Sequence, residues 1–195
     1  MTSEEYVKQE GWKSASLEQC PLHPIGGCGF SRHTAYERVK PAGMWIARWY
    51  CAKGHTTFSL LPDCLASRLS SSLTAVEEVA RVVEERTTSL EEVAQKLRPE
   101  IGLQGALRWV RRRVTAARLA VSALKGLRPD LLGSIVPTLA AVGVALAVDA
   151  VLPAVRELAG AQVSSVPPYV GFGPRPERRE RGRRHRQQGM GADPP

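Results

Sequence analysis

Five residues in the first third of the chain have types that suit a soft metal ion: Cys20, His23, Cys28, Cys51 and His55. They fall in two groups, Cys20-Pro21-Leu22-His23-Pro24-Ile25-Gly26-Gly27-Cys28-Gly29 and Cys51-Ala52-Lys53-Gly54-His55. Zinc takes four thiolate or imidazole donors in a tetrahedron, and two ligand groups joined by a hairpin are a common way to supply them. Glycine beside a ligand lets the backbone turn tightly enough to aim amides at a sulfur, and Cys28-Gly29 and Gly54-His55 both offer that. The five candidates compete for four places. The favoured set is Cys20, Cys28, Cys51 and His55. The alternative brings in His23 through the tighter Cys20-x2-His23 spacing, with Cys51 and His55, and leaves Cys28 a bystander. Four filled positions leave none for water, so the Zn2+ is expected to be structural. Glu37 is the one carboxylate between Cys20 and Leu61, which makes a water-activating metal site a poor fit. A deaminase-type His-x-Glu with Cys-x-x-Cys is missing as well. No nucleophile–base pair, phosphate loop or carboxylate pair stands out elsewhere, so no enzyme activity is expected. Cys64, among Leu60, Leu61 and Leu65, reads as a small buried hydrophobe.

The second group with chemical content is basic. The 195-residue chain carries a formal net charge of +8, spread unevenly. Residues 101–128 hold seven Lys or Arg and no acid, whereas residues 75–100 hold seven acids against four bases. Within the basic stretch Leu103, Leu107, Val110, Val114, Ala117, Val121 and Leu124 recur at helical spacing and form one apolar stripe. At about 100° per residue, Gln104, Arg108, Arg111, Arg112, Thr115 and Arg118 collect on the opposite side. Just upstream, Ser89-Leu90-Glu91-Glu92 has the form of a capping box for a short helix that stops before Pro99. A short helix, a turn and a longer basic helix make a helix-turn-helix-like pattern. Such a helix fits the DNA major groove, with its arginines on phosphates and Gln104 free for a base edge. The plainer reading of the same face is a solvated flank of a bundle helix.

The elements that must position these residues give an α+β chain. Residues 1–19 read as a polar leader with a helical turn around residues 4–9. Residues 20–66 read as a small three-stranded antiparallel zinc ribbon with strands near 30–39, 44–50 and 56–60 and a turn at Pro41-Ala42-Gly43. Residues 64–69 suggest a short helix and Ser70-Ser71-Ser72 a hinge. Residues 73–128 form the helical, helix-turn-helix-like part, beginning with a helix over about 74–85. Residues 129–160 are apolar and helical. Pro137, Gly143, Asp149 and Pro153 interrupt them, and the run at 131–148 is short for a membrane span. A buried helical hairpin or a homo-oligomerisation helix is the expected use. Residues 161–195 form an Arg-rich tail, expected to be disordered and to add non-specific polyanion affinity. The N-terminus has neither a basic start nor an apolar run, so a cytoplasmic protein is expected, nucleoid-associated if it binds DNA. In that setting the cysteines serve as thiols or metal ligands.

Three runs within residues 20–65 carry a resemblance: Arg32-His33-Thr34-Ala35-Tyr36-Glu37-Arg38, Ala47-Arg48-Trp49-Tyr50-Cys51 and Thr57-Phe58-Ser59-Leu60-Leu61-Pro62. They resemble bacterial zinc-ribbon/helix-turn-helix proteins related to the N-terminal DNA-binding region of insertion-sequence transposases. The last run, directly after the second ligand group, is the most specific. Residues 89–114 match the helix-turn-helix that follows in such proteins loosely. Gly54 stands where relatives commonly place the second cysteine of the second ligand pair, and the first pair carries an insert. The resemblance implies a structural zinc ribbon and DNA recognition without the nuclease domain of full transposases. DNA is therefore the expected partner. The competing expectations are a zinc-ribbon module that binds another protein, and a membrane-associated protein anchored by residues 131–148.

Overall fold

The computed structural model describes residues 1–159, and the Arg-rich tail lies outside the described residues. The architecture is α+β, a three-stranded sheet followed by helices. Strands β1 (Ser31–Glu37), β2 (Trp45–Cys51) and β3 (Thr56–Leu60) pair antiparallel in the order β1-β2-β3. Their aromatic and β-branched side chains suit a pleated, half-buried surface. A register shift between Arg32 and Ala35 bends β1 against β2.

The N-terminal residues pack onto this sheet instead of standing apart as a leader. Thr2 caps α1 (Ser3–Lys8) through a capping box in which the Glu5 amide donates to Thr2 Oγ1 and the Thr2 amide to Glu5 Oε2. Tyr6 is thereby presented inward, where it is buried with Met44, Ile46 and Leu65. Its hydroxyl donates to the Trp45 carbonyl at 3.2 Å, and burial pushes the phenol up to about 12. After α2 (Gly11–Ser14), the Arg32 guanidinium donates to the carbonyls of Trp12 and Lys13 at 2.6 and 2.8 Å. A small ribbon has little core of its own, so covering Met44 and Ile46 with Tyr6 gives it apolar surface to bury.

Residues 61–72 form neither the expected short helix nor a free serine hinge. Leu65 and Ser72 make an isolated antiparallel bridge, the Ala66 amide donates to Ser71 O, and the Leu73 amide donates to Cys64 O. Backbone groups satisfied this way have no need of a helix. Ser72 instead caps the next helix, accepting from the Ala75 amide at 3.1 Å. Long side chains pin the segment from both sides. Arg38 donates to Leu69 O at 2.7 Å, Arg113 to Ser71 Oγ at 3.2 Å, and Arg156 to Asp63 Oδ1 at 2.8 Å.

The helical region comprises α3 (Leu73–Glu84), α4 (Leu90–Leu97), α5 (Leu103–Leu127), α6 (Pro129–Leu132), α7 (Leu139–Leu146) and α8 (Val151–Ala159). The 25-residue α5 runs through two apolar clusters. Its first half packs Ala106, Leu107, Val110 and Val114 against α4 and the end of α3. Its second half packs Ala117, Ala120, Val121 and Leu124 against the start of α3, α7 and α8. The expected stripe is buried except Leu103, which lies in the first turn and is 39% exposed. Ser89 caps α4, its hydroxyl accepting from the Glu92 amide at 3.1 Å.

Two acids of α3 do work that their sequence neighbourhood does not announce. Glu77, 3% exposed, accepts from the Val151 and Leu152 amides at 3.0 and 2.8 Å and so caps α8 from 74 residues away. Arg81, one turn on, donates to the same carboxylate at 3.0 and 2.8 Å and to the Asp149 carbonyl. Glu84 likewise accepts from the Leu139 amide at 3.1 Å at the start of α7. A carboxylate at a helix N-terminus satisfies orphan amides and faces the positive end of the helix dipole. The apolar run at 131–148 is accordingly cut into short helices folded back on α3 and α5. No single described helix is long and apolar enough to cross a membrane, although α7 and α8, bent by 64°, meet that length and composition as a pair.

Candidate metal centre

Cys20, His23, Cys28 and Cys51 converge, with their donor atoms all within 4.8 Å of one another. His23 Nδ1 lies 3.7 Å from Cys20 Sγ and 3.4 Å from Cys51 Sγ. Ligands bound tetrahedrally to zinc at its usual S and N distances stand about 3.6 Å apart, so this donor set is near metal-binding geometry. The four residues could hold a metal ion.

Local turns bring them together. Cys20 and His23 face each other across a tight turn closed by the His23 amide on Cys20 O at 3.1 Å. Gly26, Gly27 and Gly29 all have positive φ (89°, 75° and 65°), a region costly for other residues, and this loop returns Cys28 to the cluster. The Lys53 amide donates to Cys28 O at 3.1 Å, tying the two ligand groups together. Cys51 ends β2, and its sulfur accepts from the Gly54 amide at 3.2 Å. Behind the site, Phe30 stacks on Trp49 at 5.3 Å and meets Phe58 edge-on at 5.8 Å. These rings and the buried Cys20, Cys28 and Cys51 form one small cluster.

The electrostatics suit a cation. Burial opposes ionisation of Cys20, but hydrogen bonds from His23 and from the amides of Leu22 and His23 outweigh it and lower the thiol to about 6. Burial and the neighbouring sulfurs of Cys20 and Cys51 push Cys28 up to about 11. Three sulfurs this close cannot all ionise by themselves, whereas a bound dication reverses that logic and deprotonates coordinating thiols.

The geometry corrects the favoured ligand set at one position. His55 stands outside the cluster, exposed at φ 45°, with Nδ1 3.2 Å from the Tyr50 hydroxyl. The reason lies in Gly54. A Cβ there would come 2.9 Å from Leu22 Cδ1 and 3.3 Å from Cys51 Sγ, so the loop already lies flat on the sulfur. The chain then turns away, and the next residue leads into β3. His23, the alternative, takes the place, and Cys28 remains in the set. The Cys-x2-His spacing was the signal for it. Cys64 is half-buried beside Tyr6 and Leu61, apart from the metal cluster.

The second set of expected residues lies on α5. Gln104, Arg108, Arg111, Arg112, Thr115 and Arg118 are all exposed. Arg113 is not part of that face. It is 4% exposed and donates to the Trp109 carbonyl, with its guanidinium 3.7 Å from the Trp109 ring centroid. Burial, then repulsion from Arg98 and Arg112, lowers it to about 10, so it stays charged at neutral pH. Trp109 also meets Arg98 at 4.8 Å, an aromatic face held between two cations.

No protein-family model, curated protein or solved structure matches this chain.

Proposed function

We propose that this is a DNA-binding protein in which a structural zinc ion holds the ribbon and the exposed side of α5 meets the phosphate backbone. Three thiolates and an imidazole are the donor chemistry zinc prefers, and four filled positions leave none for substrate or water. The ion therefore serves folding, and no step of catalysis is assigned to it. A single observation carries the DNA reading: Arg108, Arg111, Arg112 and Arg118 all face solvent on a helix that has no acidic residue, while its other side is buried. Gln104 and Thr115 on the same face can reach base edges. The capped α4 and the turn that leads into α5 are what support a helix-turn-helix reading, and with the ribbon residues that reading favours a regulator or a transposase-derived protein.

The test is duplex DNA binding by the zinc-loaded chain across a salt series. Each phosphate neutralised adds about 0.9 to the slope of log K against log salt, so replacing Arg108, Arg111 and Arg112 by Ala should flatten it by roughly 3. Affinity that ignores salt, or a slope unchanged in the triple variant, sinks the reading. A second reading, a module that binds protein or its own copy, draws on Val136 just before α7 and Val144 within it, which are 67% and 84% exposed. It predicts a complex that survives moderate salt and no affinity for DNA.

A further inference from the structure

The ribbon has a second face. Cys51, Trp49 and Phe58 point to the side of the metal cluster. Side chains alternate along a strand, so Arg48 and Tyr50 point to the other side. The register sets them in rows: Ser31, Tyr50 and Thr57 across the three strands, then Arg48 beside Ser59, then Tyr36 beside Ile46. The Ile46 end is covered by Tyr6, Met44 and Leu65. Ser31, His33, Tyr36, Thr57 and Ser59 are exposed, while Arg48 and Tyr50 between them are half-buried.

The chemistry of this face is specific. The His33 ring stands 5.8 Å from Tyr50, and the Arg48 guanidinium lies 5.6 Å from the Tyr36 ring centroid. The Tyr50 hydroxyl meets His55 Nδ1 at 3.2 Å. Arg48 has no carboxylate partner among the described residues, and its Nε is buried without a hydrogen-bond partner, which leaves the outer guanidinium nitrogens to meet a ligand. Glu37, the one acid in these strands, pairs with Trp45 and belongs to the opposite side. Two aromatic platforms therefore flank an arginine, with hydroxyls around them and no negative charge.

We propose that this face binds single-stranded nucleic acid, with bases stacked on Tyr36 and Tyr50 and Arg48 on the phosphate that joins them. Stacking needs an open base face, which a duplex keeps within its own stack, so the face selects unpaired strands. The absence of acids suits a polyanion and disfavours a basic peptide. The inference does not depend on α5, which lies in the helical region.

The test uses the full zinc-loaded chain and a labelled oligothymidylate of about twelve nucleotides, with a duplex of equal length beside it, read by fluorescence anisotropy. Tyr36→Ala and Tyr50→Ala should each weaken single-strand binding about tenfold. Tyr36→Phe and Tyr50→Phe should restore it, because the ring and not the hydroxyl carries the stack. Duplex affinity and zinc content should not move in any of the four. The Arg108, Arg111 and Arg112 variant should show the reverse pattern, which separates failure of this face from failure of the α5 reading. Wild-type protein that ignores the oligonucleotide, or Ala variants that bind it as wild type does, would overturn the proposal and leave the face to a protein partner.

Discussion

The metal module and the helical bundle hold buried polar groups in place by different means. In the ribbon, the apolar cluster behind the metal site amounts to a few rings and three cysteines, and the N-terminal Tyr6 must be borrowed to cover its far end. A unit that small needs a crosslink, and the Cys3His donor set is placed to supply one through a metal. In the bundle the apolar clusters are continuous along α5, and what remains is to satisfy the ends of short helices. Glu77 and Glu84 do that from two turns apart on α3, holding α8 and α7 by their first amides. In one region sulfurs and an imidazole from distant residues lie together, in the other a carboxylate reaches distant amides. Only the first leaves a recognisable spacing in the sequence.

That contrast can be broken by removing one device at a time. The largest effect is expected at the metal. His23→Ala should lose the ion and unfold the ribbon, since structural zinc contributes about 10–16 kcal/mol in small zinc modules, while His55→Ala should keep it. Metal content with tryptophan fluorescence reads the ribbon, and far-UV circular dichroism should show the helices intact. Retention by His23→Ala with loss by His55→Ala would restore the original ligand set. Next comes Glu77→Ala, which takes the carboxylate from Arg81 and from two buried amides. A cost of about 3–5 kcal/mol is expected, seen as a lower urea midpoint with metal content unchanged. An unaltered midpoint would show that α8 is held by packing alone. Glu84→Ala removes a more accessible cap and should cost about 1–2 kcal/mol, with amide exchange faster at the start of α7 than elsewhere. The smallest effect is Ser89→Ala, about 1 kcal/mol, visible as fraying of the first turn of α4. If Ser89→Ala weakened DNA binding more than it loosened α4, the α4–α5 turn would be part of the contact surface.

Much of the α+β plan was legible because periodicity is local. The strands, the basic helix and its apolar stripe follow from spacing, and Ser89 and Thr138 cap helices in the way their residue type favours. Short-range signals misled where a backbone found non-helical partners. Residues 64–69 look helical by composition, yet the Leu65–Ser72 bridge uses their hydrogen bonds. Ser70-Ser71-Ser72 looks like a hinge, yet Ser71 receives Arg113 and Ser72 caps α3. The basic count over residues 101–128 overstated the exposed charge: Arg113 turns inward onto Trp109, and Lys125 and Arg128 are half-buried, one on the Ile135 carbonyl and the other paired with Asp130.

By itself the sequence determined the inventory: four cysteines, two ligand groups about thirty residues apart at the spacing zinc uses, and a helix with arginine on one side and aliphatic residues on the other. These are properties of residue type and of neighbours a few positions away. The tertiary structure decided which histidine joins the three clustered sulfurs, because Gly54 lies flat against the Cys51 sulfur and His55 turns outward. It also decided that two acids of a solvent-like stretch would be spent on helix ends more than fifty residues away. Neither choice has a local signature, since each depends on where a distant backbone leaves an amide or a sulfur in need of a partner.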